Sequence, residues 1–218
     1  MPVTGLLARE RLFAALDRDD GRVTLVRAPA GAGKTALLTS WAARCADRVA
    51  GDVSPVAVVP LTPAHGEPAA FSRAVHDAVA GAGGSPLVWL APRPRRGGPA
   101  LCLALDGVDV LAGRPSARLL AALARHPSLR LVLAGRTPSP LRPWLRAHGR
   151  LREIGAADLA FTEDEARQML TAHGVALSSP DLAELVRLTG GVAAGLRLAA
   201  TSSSARGTPS ATRPATVA

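Results

Sequence analysis

The segment "APAGAGKT", Ala28–Thr35, lies between the apolar run "RVTLVRA" (Arg22–Ala28) and "KTALLTSWAARCA" (Lys34–Ala46), which has helical spacing. It matches G-x-x-x-x-G-K-[ST] at every place but the first, where Ala28 stands for glycine. A β-prone run that passes through a glycine turn into a helix is the context in which this pattern acquires mechanics. Gly31 and Gly33 let the backbone curl so that successive N–H groups converge on an anion, backed by the helix N-terminus. The loop from Ala28 through Pro29, Ala30, Gly31 and Ala32 to Gly33 would then cradle phosphates. Lys34 would reach the β- and γ-phosphates as a point charge, and the Thr35 hydroxyl is placed to ligate Mg²⁺. Ala28 is compatible with this provided its φ is negative, because only a positive φ demands glycine.

Composition singles out the same lysine. Of 26 lysines and arginines in 218 residues, Lys34 alone is lysine. The chain has one isoleucine (Ile154), no asparagine and no tyrosine, the signature of a GC-rich genome that replaces lysine by arginine wherever either will serve. A lysine that survives this bias marks a place where a compact ammonium works and a planar guanidinium fork does not.

The rest of the composition narrows the field. At 48% hydrophobic residues a chain of this length can build a core. No apolar run approaches the ~20 residues needed to span a bilayer, and the start "MPVTGLLARERLF" does not read as a signal peptide. The expectation is a cytoplasmic protein without a membrane partner. Cys45 and Cys102 lie in apolar surroundings without CxxC spacing and read as reduced core thiols. The formal charge of +9 is spread along the chain, with one cluster at "PRPRR" (92–96) and only six Phe and Trp residues for bases to stack on. It reads as a solvated surface. His65, His76, His126, His148 and His173 have no metal-ligand spacing.

"PVAVVPL", "ALCLALD" and "LRLVLAGR" are further unbroken apolar runs, with helical patterns between them. Unbroken runs suit strands covered on both faces, so the class is α/β, a doubly wound parallel sheet flanked by helices. Residues 1–155 form this domain. After about residue 155 the strands stop. Residues 156–200 read as a small helical lid, with Thr162 and Glu165 as a capping box, Gly174 as a stop, Ser179 as the next cap and Gly190 as its stop. Residues 201–218 are small and polar and read as a disordered tail.

A second constellation is "LCLALDGVDVL" (Leu101–Leu111). An apolar strand that ends in aspartate is the Walker B pattern, with Asp106 holding Mg²⁺ together with Thr35. Asp-Gly between apolar residues is equally a hairpin signal, and both readings stand at this point. Arg136, at the end of "LVLAGR", is a candidate γ-phosphate sensor or a surface arginine.

The order of "LVRAPAGAGKTALLTSWA", "LCLALDGVDVL", the block from Leu129 to Leu170 and "LTGGVAAGLRLAA" resembles the ATPase module of large LuxR-type, MalT-like transcriptional regulators. That module belongs to the STAND class of P-loop NTPases, and the match runs from about Leu6 to Ala200. The resemblance implies an ATP-responsive switch, in which ATP–Mg²⁺ favours an active, self-associating state and ADP a closed one. It implies that the turn at Gly191, Val192 and Ala193 lies near the adenine. Departures accompany it. Gly107 stands where the family has a second acid, which orients the attacking water, so hydrolysis is expected to be slow or absent unless Asp109 serves as the catalytic acid. Gly107→Asp is expected to raise turnover if the pocket is otherwise intact. The lid-turn tryptophan is Val192, and the region before Leu101 is short. The chain stops before the family's sensor and helix-turn-helix domains, so no DNA-reading motif is expected within it. Three readings follow: a switch module, truncated or stand-alone, an active ATPase, and a nonfunctional fragment.

Overall fold

The computed structural model describes residues 9–18, 23–47, 55–82, 101–126, 129–139 and 141–206. The arginine cluster at 92–96, the start of the chain (1–8) and positions 207–218 of the expected tail lie outside the described residues. Two compact units divide between Leu159 and Ala160.

The first unit is built on five strands, β1 (Val23–Arg27), β2 (Val56–Pro60), β3 (Leu101–Asp106), β4 (Leu129–Gly135) and β5 (Leu151–Ile154). Their order is β2-β3-β4-β1-β5, and every pairing is parallel. The helices are α1 (Glu10–Asp17), α2 (Lys34–Ala46), α3 (Pro68–Gly81), α4 (Ala117–Leu123), α5 (Arg142–Ala147) and α6 (Ala156–Leu159). Short 3₁₀ helices at Pro63–Gly66 and Val108–Leu111 follow β2 and β3.

Alternation along each strand sends side chains to opposite faces, and the two faces carry different residue sizes. On one, Leu101, Leu103, Leu105, Leu131 and Leu133 meet Phe71, Val75 and Val79 of α3 and Leu120 of α4. On the other, Cys102, Ala104, Val132 and Ala134 leave room for Leu37, Leu38 and the fully buried Trp41 of α2, with Phe13 and Leu16 of α1. Small residues beneath a tryptophan keep the layer close-packed. The Trp41 indole N–H donates to Asp17 Oδ1 at 2.7 Å, which ties α2 to the end of α1. Arg130 lies in the same layer, its Nε donating to Cys102 Sγ at 3.4 Å and its Nη1 to Asp17 O at 3.1 Å. Both cysteines are buried and outside any disulfide, and burial pushes the Cys102 thiol pKa up.

β5 and α5 add to the four strands and the helices read from sequence. "LREI" holds no apolar run, and β5 is a four-residue edge strand with only Ile154 buried. What keeps it in place is tertiary: its pairing with β1, a bond of 3.0 Å from Arg152 Nη1 to Ala15 O, and Glu153 receiving Arg142 and Arg146 of α5.

The second unit packs α7 (Glu163–Ala172), α8 (Ser179–Thr189) and α9 (Ala193–Arg206) around Ala166, Met169, Leu170, Leu182, Leu196 and Ala200. Thr162 and Glu165 form the capping box, and Gly190 ends α8 with φ 59°. The α8 cap is Ser178, whose Oγ accepts from Asp181 N at 3.3 Å, and Ser179 opens the helix. α9 continues beyond residue 200, where the tail was expected to begin. Ala200 is buried at that point, and the Thr201 hydroxyl donates to Arg197 O and Leu198 O without interrupting the helix. Phe161 N–H donates to Gly191 O at 2.8 Å, and a Cβ on Gly191 would lie 2.7 Å from Phe161 O, so the glycine turn closes this unit on itself. Among the described residues no helix is long and apolar enough to cross a membrane.

Candidate nucleotide site

Because all five strands are parallel, their C-terminal ends lie at one edge, where open α/β sheets bind ligands. β1 delivers the loop 28–33 there, β3 delivers Asp106, and β4 delivers Arg136. The loop is pinned at its start by Ala28 N donating to Gly135 O at 3.2 Å. Ala28 is buried in the layer beneath α2, so the methyl that departs from the glycine pattern is absorbed by the core. Gly31 and Gly33 have φ of 78° and 89°, and Gly33 is the N-cap of α2. The curl that the glycine spacing predicts is therefore formed.

Lys34, the first residue of α2, folds back over the loop. Its Nζ donates to Ala28 O at 2.7 Å and Pro29 O at 2.8 Å. Burial lowers the Lys34 pKa, the negative charges of Asp106 and Asp109 oppose that, and the Arg136 charge adds to the lowering. Asp106, Asp109 and Arg136 thus all act on the Lys34 ammonium at this edge.

Thr35 Oγ1 donates to Asp106 Oδ2 at 2.5 Å. Asp106 ends β3 with its backbone clamped on both sides, Leu61 N donating to its carbonyl at 2.7 Å and Gly107 N to Ala134 O at 2.9 Å. β3 has parallel neighbours on either side, so the hairpin reading of Asp-Gly falls. Gly107 instead takes φ 84° and turns the chain into the 3₁₀ helix Val108–Leu111, with Leu61 O 3.3 Å from where a Cβ would be. An L-residue is strained there, which removes the basis for expecting Gly107→Asp to supply the second acid.

Asp109 is already engaged. Its Oδ1 accepts from Thr137 N at 2.7 Å and Thr137 Oγ1 at 2.6 Å, and Arg136 N donates to Oδ1 at 3.0 Å and Oδ2 at 2.8 Å. Burial alone would raise its pKa, but the bonds from the Thr137 hydroxyl and the two backbone amides, with the Arg136 charge, lower it overall. A carboxylate with its lone pairs so occupied is a poor proton acceptor, so the geometry offers no support for Asp109 as the acid that orients water. Arg136 is exposed, and its guanidinium makes no hydrogen bond or ion pair among the described residues. Thr137 and Gly135 belong to this arrangement and were not singled out from sequence. A Cβ at Gly135 would lie 3.1 Å from Asp109 Oδ1, and the only sequence signal was a glycine closing an otherwise apolar run.

The oxygen donors Thr35 and Asp106 suit Mg²⁺, a hard cation usually held by one or two carboxylates together with substrate phosphates. Among the described residues no group of three or more His, Cys, Asp or Glu could hold a metal unaided.

No family model matches the sequence, and no curated protein matches it. Solved structures do resemble the fold. Drosophila ORC bound to DNA aligns with TM-score 0.53 and 16% identity over 91% of this chain and 57% of that one. The ORC1 protein of Aeropyrum pernix in complex with DNA aligns with TM-score 0.53 and 19% identity over 90% and 59%. The chain has the P-loop NTPase fold, a five-stranded parallel sheet flanked by helices, and shares it with these structures. At these identities the likeness establishes that fold alone, and the chain spans under three-fifths of the length of either structure.

Proposed function

We propose that this chain is an ATP-binding module with Mg²⁺ as its metal. The observation that carries the reading is the convergence of Lys34, Thr35, Asp106 and Arg136 at the mouth of a glycine loop. Gly31 and Gly33 would shape the amide cradle, Lys34 would exchange its two loop carbonyls for phosphate oxygens, and Thr35 and Asp106 would hold the metal. Bound Mg²⁺ would supply charge neutralisation across the β- and γ-phosphates. Arg136, adjacent to the end of β4, is the residue available to the terminal phosphate.

The finer reading is a switch of the STAND class, within a regulator of the MalT-like kind. The motif order from the glycine loop to Gly191 supports it. The left-handed glycine at position 107 and the backbone bonds of Asp109 favour a switch over an efficient ATPase, although Gly107 itself departs from the family's pattern. Residues 1–155 would bind nucleotide and 156–200 would respond to it. Calorimetric titration with ATP and ADP, with and without Mg²⁺, tests the binding, with Lys34→Ala as the control. Absence of heat for the wild-type protein would end this reading. Mass measured by light scattering in ATP against ADP tests the self-association expected of a switch.

A further inference from the structure

The carboxylate of Asp109 reaches from the turn after β3 to the first two residues after β4, and this contact has the form of a built latch. Two successive backbone amides and a hydroxyl, Arg136 N, Thr137 N and Thr137 Oγ1, all donate to one side chain at 2.6–3.0 Å. The neighbourhood is shaped to admit it. Gly135 carries no Cβ, and one placed there would lie 3.0 Å from Val108 Cγ2 and 3.1 Å from Asp109 Oδ1. Asp109 is presented by the 3₁₀ helix that the left-handed Gly107 starts, and Gly107 N is itself bonded to Ala134 O at 2.9 Å. The ends of β3 and β4 are therefore tied twice, and the turn that makes both ties also carries Asp106.

We propose that Asp109 is a positioning residue: by fixing the backbone of Arg136 and Thr137 it sets where the Arg136 guanidinium stands, and so how well the site tells a nucleoside triphosphate from a diphosphate. This rests on the nucleotide-binding reading above. The latch engages the backbone amide of 136 and the amide and hydroxyl of 137, and the Arg136 guanidinium makes no hydrogen bond or ion pair among the described residues. Its charge nonetheless acts on Lys34, so both cations face one region. An exposed arginine on a loose loop samples many rotamers and directions. Anchored at its own N–H and at the next residue, it loses backbone freedom before any ligand arrives, which is preorganisation. Asp109 touches no phosphate in this scheme; its charge also bears on Lys34, but the discrimination between the two nucleotides runs through Arg136.

The test is the ratio of ATP to ADP affinity with Mg²⁺ present, measured by titration for the wild type, Arg136→Ala, Asp109→Ala, Asp109→Asn and the double variant Asp109→Ala/Arg136→Ala. Arg136→Ala should lower the ratio by roughly tenfold, the scale of one charge-assisted hydrogen bond. Asp109→Ala should lower it by a comparable factor, with ADP affinity changing far less than ATP affinity. The double variant should be no worse than Arg136→Ala, because the latch has nothing left to position. Asn keeps one carbonyl oxygen for the Thr137 donors but turns an amide toward Arg136 N–H, so Asp109→Asn should fall between. Should Asp109→Ala fail to fold, Asp109→Asn with Thr137→Val carries the same comparison. An unchanged ratio in folded Asp109 variants, or fully additive losses in the double variant, overturns the positioning role. An unchanged ratio in Arg136→Ala overturns it too. If the wild type binds neither nucleotide, the underlying reading fails and the inference goes with it.

Discussion

The hydroxyl of Thr35 and the carboxylate of Asp106, 71 residues apart in the chain, meet at 2.5 Å, so the head of α2 is joined to the end of β3. The same two oxygens are those assigned to the metal, and the contact holds them together before any metal is bound. Asp106→Asn retains an acceptor for the hydroxyl but not the charge. We expect it to leave the fold intact, at a cost of about 1 kcal/mol or less. Nucleotide binding should lose its Mg²⁺ dependence, measured by titration with and without the cation. A variant with normal Mg²⁺ dependence would remove Asp106 from the metal site.

Lys34 tests the composition argument directly. Its ammonium donates to two carbonyls of its own loop at 2.7–2.8 Å, a compact point-charge contact that the broad, planar fork of arginine is expected not to reproduce. Saturating ATP–Mg²⁺ at ~100–1,000 times Kd should stabilise the wild type by about 3–4 kcal/mol. Lys34→Arg should show no such gain in thermal melts, although arginine serves at every other basic position. A full ATP-induced shift in Lys34→Arg would show that codon bias had nothing to do with this lysine.

At Gly107 the left-handed backbone counts against an expectation from sequence. Aspartate there must take φ near 84°, against Leu61 O, at a cost of about 1–2 kcal/mol. Urea denaturation should detect that loss, and phosphate release should not rise. Gly107→Asp as stable as the wild type and faster at hydrolysis would mean that the turn reshapes freely.

Acid stability should report Glu153. The hydrogen bond from Arg142 foremost, then the charges of Arg142 and Arg146, hold its pKa below the ordinary carboxylate range. Below about pH 4.3 the unfolded chain protonates this side chain before the folded one does, so the unfolded state binds more protons. The Glu153 contribution is thus present above that pH and is lost as pH falls through the lower folded value. Glu153→Gln should flatten the dependence of Tm on pH across this acid window. Because the pair is partly exposed, the difference should shrink in high salt. Parallel Tm curves for the two proteins would show that the pair contributes nothing.

Local chemistry made part of this legible from sequence alone. Unbroken apolar runs announce strands covered on both faces, and β1, β3 and β4 are such strands. A glycine loop followed by Lys-Thr announces its own backbone curl, and the caps at Thr162 and Gly190 depend on near neighbours only. β5 was invisible, because "LREI" is held by α1, α5 and β1 and not by its own hydrophobicity. The strand order was likewise undetermined, since four similar apolar runs can line up in several ways. Asp109 looked like a free acid near an active site. Only the folded chain brings residues 136 and 137 to it, across 27 and 28 positions, and a carboxylate's role is set by the donors around it. Spacing along the chain determined which groups are present, and three-dimensional packing decided which of their lone pairs remain free.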